Sequence, residues 1–407
     1  MHDCDVLIVG GGLNGPVLAL ALAQAGLGSI VLDGRSVASR AEPDFDGRAY
    51  ALSLSSQRLL AALGLWRELS GHAQPIEAIR ISDGRPGEGA SRLFLHFDGS
   101  EIDEGPMGQI IEDRYLRAAL LAAMEAAPSI EHWAGATVVG QAVAPGSVTV
   151  TLADGGTRTA ALLIGCDGRD SQVAARAGIR RRGWDYGQMS LVAAVTHERP
   201  HRGVAHQFFM PAGPLAILPL PGDRSSIVWT ERTDRARAIA GLDDAGYLAE
   251  LQPRFGDFLG EIGLAGARFA YPLGLSLAER WTGPRMALAG DAAHGIHPLA
   301  GQGLNLGLRD VAALAEVVVA ARRRGEDIGA ADVLARYARW RGFDTALLAA
   351  ATDGLNRLFS NDNPVLRLGR DLGLGLVGRL PGLRRALIGE AAGLTGDLPR
   401  LLAGRRL

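Results

Sequence analysis

The run Gly10-Gly11-Gly12-Leu13-Asn14-Gly15 follows a short apolar stretch, Asp5 to Val9, and precedes an alanine- and leucine-rich stretch from about Gly15 to Ala25. The first stretch reads as a buried strand and the second as a helix, with Ser29 to Leu32 as the next strand. The chain must turn sharply between strand and helix, and Gly10, Gly12 and Gly15 satisfy G-x-G-x-x-G in the context that motif requires. The first glycine permits the tight turn, the second lets the backbone approach a pyrophosphate, and the third brings helix and strand together. Pro16 suits a first helical turn, where its missing N–H costs nothing. Asp33 ends the second strand 23 positions after Gly10, placed to accept hydrogen bonds from a ribose diol. This βαβ unit predicts a dinucleotide site; an ordinary glycine turn is the alternative.

The rest of the chain bounds what surrounds that unit. At 407 residues, with 47% hydrophobic side chains, it is long enough for two core-forming domains. A net charge of -2 argues against a nucleic-acid surface. Every basic side chain is arginine, which excludes Schiff-base chemistry and a Walker-type lysine. The two cysteines, Cys4 and Cys166, sit beside predicted strands rather than in a ligand cluster, so no metal is expected. Met1-His2-Asp3 leads straight into a strand without a charged leader, and no apolar run reaches the roughly 20 residues of a spanning helix. The expectation is a reduced, cytoplasmic protein whose membrane contact, if any, is peripheral.

Further helices are predicted from Ser55 to Leu63 and from Asp113 to Ala126, where Leu116, Leu120 and Met124 recur at helical spacing. Between about Ile76 and Ile102, and from Trp184 to Trp281, the pattern becomes short alternating runs broken by Gly and Pro, which read as antiparallel strands. From Gly303 the chain returns to helix, with Leu304, Leu308, Val311 and Leu314 on one face. The expected organisation is α/β. Residues 1–75, 103–183 and 282–355 form a discontinuous Rossmann-like nucleotide domain, 76–102 and 184–281 an inserted β-rich substrate domain, and 356–407 a C-terminal helical tail.

Two other glycine-bearing segments accompany the first. Cys166-Asp167-Gly168 is one; Gly290-Asp291-Ala292-Ala293-His294, running on to Pro298 and Gly301-Gln302-Gly303-Leu304-Asn305, is the other. Asp291 follows the apolar run Met286 to Ala289, which places it at the carboxyl end of a strand, where open α/β sheets bind ligands. Gly301 to Asn305 opens a helix whose unpaired N–H groups carry about half a positive charge. The alternative is a glycine-rich turn capped by Asn305.

Together these segments resemble the class A FAD-dependent aromatic hydroxylases: Gly290-Asp291 through Asn305 is similar to their GD motif and Asp167-Gly168 to their DG motif. Asp46-Gly47-Arg48-Ala49-Tyr50-Ala51-Leu52-Ser53, and the tail Asn356 to Asp362 followed by Asp371 to Leu374, resemble the ubiquinone-biosynthesis hydroxylases of the UbiH type. The resemblance spans nearly the whole chain. It implies FAD in the class A flavin monooxygenase fold, with NAD(P)H docking transiently. It also implies a C4a-hydroperoxyflavin that transfers oxygen to the ring of a polyprenylated phenol. It further implies that Arg48 lies against FAD, that Arg117 supports its phosphate side, and that Asp167 serves both FAD and the nicotinamide nucleotide. Pro298 shapes the turn beside the isoalloxazine. Arg48 as a solvent-facing charge remains open. The chain departs from the pattern after Ser171-Gln172-Val173, where Ala174 replaces a common basic residue and Arg176 stands nearby.

The reaction needs a dry site, and Phe208, Met210, Ile217, Leu218 and Trp229 are candidates for its apolar wall, with plain core as the alternative. His294 and His297 are read as packing and hydrogen-bonding groups near the cofactor loop, and no catalytic base is assigned. Pro364 to Leu387 sets leucines among Arg367, Arg370, Arg379, Arg384 and Arg385, a basic amphipathic pattern fit for a membrane surface or a partner protein; its alternative is packing on its own domain or on a second copy in a homodimer. The rival functions are hydroxylation of a soluble aromatic compound and flavin binding without turnover. An NAD-dependent dehydrogenase is weaker, because it leaves the GD segment without a purpose.

Overall fold

The computed structural model describes residues 2–39, 44–87, 89–101, 104–360 and 380–407. β1 (Cys4–Val9), α1 (Asn14–Gln24) and β2 (Ser29–Asp33) form the predicted βαβ unit. β3 (Ala49–Ser53) enters α2 (Leu54–Ala62), whose first turn is capped by Ser53 Oγ accepting from Ser56 N. The short α3 (Trp66–Leu69) and β4 (Ala73–Pro75) lead to the hairpin β5 (Ala78–Arg85) and β6 (Gly89–Asp98). β7 (Gly108–Glu112) runs into α4 (Asp113–Glu125), then β8 (Ile130–Ala134), β9 (Val138–Ala144), β10 (Ser147–Leu152), β11 (Thr157–Gly165) and α5 (Gln172–Arg176).

The middle of the chain holds β12 (Arg181–His197), β13 (Val204–Met210), β14 (Gly213–Leu220) and β15 (Arg224–Arg232). Two helices follow, α6 (Thr233–Ala240) and α7 (Asp244–Phe255), then β16 (Ile262–Leu264) and β17 (Phe269–Ala278). The stretch read as purely antiparallel strands therefore contains a helical pair. Its signal was present: Ala236, Ile239, Tyr247, Leu251 and Phe255 are buried at helical spacing, and Asp243 caps α7. β18 (Thr282–Gly283), β19 (Met286–Leu288) and β20 (His294–Gly295) precede the long helices α8 (Gln302–Arg323) and α9 (Ala331–Phe359), and α10 (Pro381–Ala391) follows.

Among the described residues, one sheet of eight strands runs β18-β19-β11-β1-β2-β8, with β9 and β10 attached through β11. Its centre, β19-β11-β1-β2-β8, is parallel. Val6, Ile8 and Leu162 bury one face against α1, α4 and α8, whereas Leu7, Ile30 and Leu163 bury the other against the β9–β10 hairpin and α5. A second sheet of nine strands runs β20-β17-β12-β15-β14-β13-β5-β6, with β16 on β12. β3, β7 and β4 form a small third sheet.

The nine-stranded sheet has two unlike faces. Leu191, Phe208, Leu215, Ile217 and Trp229 pack under α6 and α7. The alternate residues look the other way: Ala194, Ala205 and Leu220 pack with Met107 and Ile110, and Phe209 packs with Leu299 and Phe359. The large central sheet and this second face meet along the loops that carry the glycine segments.

Candidate functional site

β1, β11 and β19 are parallel neighbours, so their carboxyl ends deliver Gly10, Cys166 and Ala289 to one edge of the sheet. Cys166 N donates to Val9 O at 2.7 Å and Ala289 N to Gly165 O at 2.9 Å. The three glycine segments, far apart in sequence, are therefore in contact. Gly10 has φ +117° and lies so close to the chain that an added Cβ would stand 2.3 Å from Cys166 O. At Gly15 a Cβ would stand 2.0 Å from Gly10 O, and at Gly290 2.1 Å from Asn14 Nδ2. Asn14, the first residue of α1, also abuts Gly307, so the entrances of α1 and α8 face the same space.

Gly12 and Gly303 behave differently: a Cβ on either would meet no protein atom within 4 Å. They open onto a cleft with glycine on both sides. Helix amino termini rim it, and both direct unpaired N–H groups and partial positive charge towards an anion. Gly168, at φ +84°, also opens onto space. Asp33 is buried at the end of β2, where Gly11 would clash with its carboxylate at 2.4 Å were a Cβ present. Asp291 is exposed to this cleft, yet the density of chain around it raises its carboxyl pKa, against the lowering pull of His294, Arg169 and Arg181. A donor-rich cleft that side chains would fill, with a carboxylate at each end, fits a long dinucleotide such as FAD.

The other expected residues take definite places. Asp167 caps α5: its carboxylate accepts from Ser171 Oγ at 2.5 Å, Gln172 N at 2.7 Å and Val173 N at 3.0 Å. Asn305 fastens α8 to β3 and α2. Its Oδ1 accepts from Ser53 N (2.9 Å) and Ser56 Oγ (2.8 Å), and its Nδ2 donates to Ala51 O and Gly301 O. Gly301, at φ +64°, begins α8 against Ala51; Gln302 and Leu304 lie in its first turn, and Pro298 precedes the tight turn Leu299–Gly301. Arg48 and Arg117 meet at Asp113. Arg48 is held by Asp46 at 2.6 Å and Asp113 at 3.3 Å, and Arg117 Nε donates to Asp113 at 2.6 Å. Arg117 Nη1 and Asp113 Oδ1 are buried without a partner among the described residues, which leaves one donor and one acceptor over in that cluster.

Ala174 is buried against the β9–β10 side of the sheet, so a basic side chain has no outlet there. Arg176 donates to Val138 O at 3.2 Å. The expected wall is corrected by one residue of register: Phe208, Met210, Ile217 and Trp229 are core beneath α6 and α7. Facing the cofactor loop instead are Phe209 and Ile81, packed with Leu299 and with Phe359, whose ring stacks on Phe209 at 4.0 Å. Leu218 alone of the five packs on the loop side of the sheet.

A buried ionic cluster that the sequence reading lacked holds the GD turn. Asp310 of α8 is wholly buried and accepts from Gly290 N at 3.0 Å, from His294 Nε2, and from Arg341 Nε of α9 at 3.0 Å. Burial opposes its charge, but His294 and Arg341 hold its pKa below the ordinary aspartate value. From the other side Arg181 donates to Ala292 O at 2.5 Å and Asp291 O at 3.0 Å. The available clue was Asp310 itself, a carboxylate set between Leu308 and Val311 on an apolar helix face. His294 is thus a structural partner, as read. His297 is buried with neither ring nitrogen partnered among the described residues, its pKa lowered by burial to about 4.

The fold has solved counterparts. It superposes on p-nitrophenol 4-monooxygenase PnpA from Pseudomonas putida with TM-score 0.81, covering 98% of this chain and 100% of that one at 20% identity. Architecture and cleft thus define the class A flavin-dependent monooxygenase fold. Residues 3–341 match the model of the FAD binding domain family. The chain is 48% identical to ubiquinone hydroxylase UbiL of Rhodospirillum rubrum, over 98% of this chain and 92% of that protein. It is 36% identical to the 3-demethoxyubiquinol 3-hydroxylase of Escherichia coli, over 96% and 98%. The chain belongs to the FAD-binding family of flavin monooxygenases and, within it, to the ubiquinone-biosynthesis hydroxylases.

Proposed function

We propose that this protein hydroxylates the aromatic ring of a polyprenylated phenol during ubiquinone synthesis, using NAD(P)H and O2 on bound FAD. The observation that carries the reading is the convergence of the three glycine segments on one cleft, where Gly12 and Gly303 leave room beside two helix entrances. The names of the relatives support the substrate class.

When bound, FAD would supply the redox chemistry that links NAD(P)H oxidation to O2. The chain's own residues bind, orient and keep dry. The turn Gly10, Gly12, Gly15 and the α1 entrance receive the pyrophosphate, and Asp33 accepts from the ribose. Asp291 reaches the ribityl or pyrophosphate region. Gly301, Gln302, Gly303 and Leu304 present backbone N–H groups near the pyrimidine edge, where reduced flavin carries negative charge, and Pro298 shapes the turn there. Asn305 acts through position, by anchoring that entrance to β3. Asp167 fixes the loop that contacts Gly10, and Arg48 and Arg117 support the cofactor through the Asp113 cluster. Phe209, Ile81, Leu299 and Phe359 exclude water from the ring site, the condition for oxygen transfer rather than peroxide release. In this reading residues 1–75, 103–183 and 282–355 form the FAD-binding part, 76–102 and 184–281 the substrate part, and 356–407 the tail, by which the protein sits on the membrane as a peripheral protein. Residues 361–379 of that tail lie outside the described residues.

Asp291→Ala tests the site. The exposed carboxylate is expected to matter for FAD retention more than for melting temperature; equal loss of both would return Asp291 to a structural role. Profiling of quinone intermediates in a strain lacking the protein tests the substrate. A prenylated phenol one hydroxyl short should accumulate, and an unchanged profile would overturn the reading.

A further inference from the structure

α9 has two faces of opposite character. Inward it buries Tyr337, Arg341, Thr345, Ala349, Thr352, Asn356 and Phe359 at helical spacing. Outward, Phe343 is 75% exposed and Leu347 60%, and Leu355 and Leu358 are exposed as well. Ala346, Ala350, Ala351 and Gly354 fill the outer positions between them. A helix facing water alone would carry charges there. Between 343 and 358 Arg357 is the one well-exposed charged residue, and the charges are paired: Asp344 is bonded to Arg341, and Asp353 to Arg357.

α10 exposes Leu383 and Leu387 as well. α10 is fixed to the body by Arg384 on Glu101 and by the buried Ile388. Trp340 Nε1 of α9 donates to Asp397 O, in the turn after α10, at 3.0 Å, so the chain leaving α10 meets α9. Arg339 on α9 and Arg385 on α10 are exposed cations, while Arg357, paired with Asp353, lies 5.0 Å over the half-exposed ring of Trp184. Arginine pairs with phosphate in a fork, and an indole suits the boundary between water and hydrocarbon.

We propose that the outer face of α9, with the exposed leucines of α10, docks on an anionic phospholipid bilayer. The proposal deepens the reading above and rests on it for the lipid-borne substrate. Apolar side chains enter the acyl boundary while the exposed arginines meet headgroup phosphates. The placement suits the chemistry, because the same helix ends in Phe359, whose ring stacks on Phe209 in the wall beside the cofactor loop. A prenylated ring leaving the bilayer along α9 therefore arrives at that wall.

The test is co-sedimentation of the FAD-loaded full chain with vesicles of phosphatidylglycerol and phosphatidylcholine. The native protein is expected to sediment with them, less so in high salt or with pure phosphatidylcholine. Phe343→Glu with Leu347→Glu should weaken binding at least about tenfold, and Arg385→Glu should weaken it for anionic vesicles alone. The double variant should keep its flavin spectrum, its melting temperature and its oxidation of NAD(P)H with a tail-less phenol. Native vesicle binding by the double variant overturns the proposal, as does a native protein that ignores vesicles. A native dimer that the double variant converts to monomer also overturns it, in favour of a second copy on this face. If the native protein binds vesicles but turns over no phenol, the reaction reading fails while the docking surface stands.

Discussion

The glycines of the site fall into two kinds, and substitution separates them. Gly12→Val adds a side chain where no protein atom lies within 4 Å, so the fold should tolerate it within about 0.5 kcal/mol. The purified protein should nevertheless be colourless, since the new side chain stands where the pyrophosphate belongs. Gly15→Ala should do the reverse, costing about 1–3 kcal/mol of stability because its Cβ would press on Gly10 O. Spectra and chemical denaturation check both; a yellow Gly12→Val protein would contradict the cofactor assignment. Asp310→Asn takes from Arg341 Nε and His294 the buried carboxylate they share, leaving Arg341 only the half-buried Asp344, and should cost about 2–3 kcal/mol at neutral pH. Because the folded Asp310 pKa is lowered, its contribution is present above the ordinary aspartate value near 4 and is lost as pH falls through the folded value. The gap between native and variant should close below about pH 4. The motif glycines and Asp33 were legible because a turn against phosphate demands them locally. Asp310, Arg341 and Arg181 were not, since their meaning is a meeting of α8, α9 and β12 that no local pattern encodes.

At the scale of elements, strand periodicity located the inserted sheet but not the direction of its faces. Residues 208 and 209 are both apolar aromatics, so alternation could not say which one looks to the cofactor loop; α6 and α7, unread in the sequence, claimed the face of Phe208. The two positions should respond differently. Phe208→Ala is expected to lower stability by about 3–5 kcal/mol with coupling intact. Phe209→Ala should release more peroxide per NAD(P)H oxidised, because it opens the wall formed with Leu299 and Phe359. Equal coupling in the two variants would move the wall elsewhere. The long helices were easier: α1 and α4 lie within a residue of the ends that apolar spacing placed, and α8 begins at Gln302, one residue before its expected start.

The whole molecule should show a stability slope on the acid side of neutrality. Burial holds His206 and His297 neutral, each with its pKa lowered to about 4 from the ordinary 6.5. The unfolded chain binds protons there that the folded chain refuses, so stability should rise with pH between about 4 and 6.5 and fall away on acidification. His297→Leu should flatten part of that slope, measurable as melting temperature against pH; an unchanged slope would mean that the ring is protonated in place. The architecture itself was largely readable, because three separated glycine segments fit one parallel sheet edge and little else. The small β3-β7-β4 sheet was not, as its strands are short and β7 pairs with β3 across 55 to 63 residues and with β4 across 34 to 38.

The match to the family model ends at residue 341, part-way along α9 and at the arginine that grips Asp310. Everything that clamps the GD turn lies before that point, and the greasy exterior of the same rod lies after it. A substitution on the outer side of that second half can therefore change what the molecule touches without loosening the grip on the GD turn.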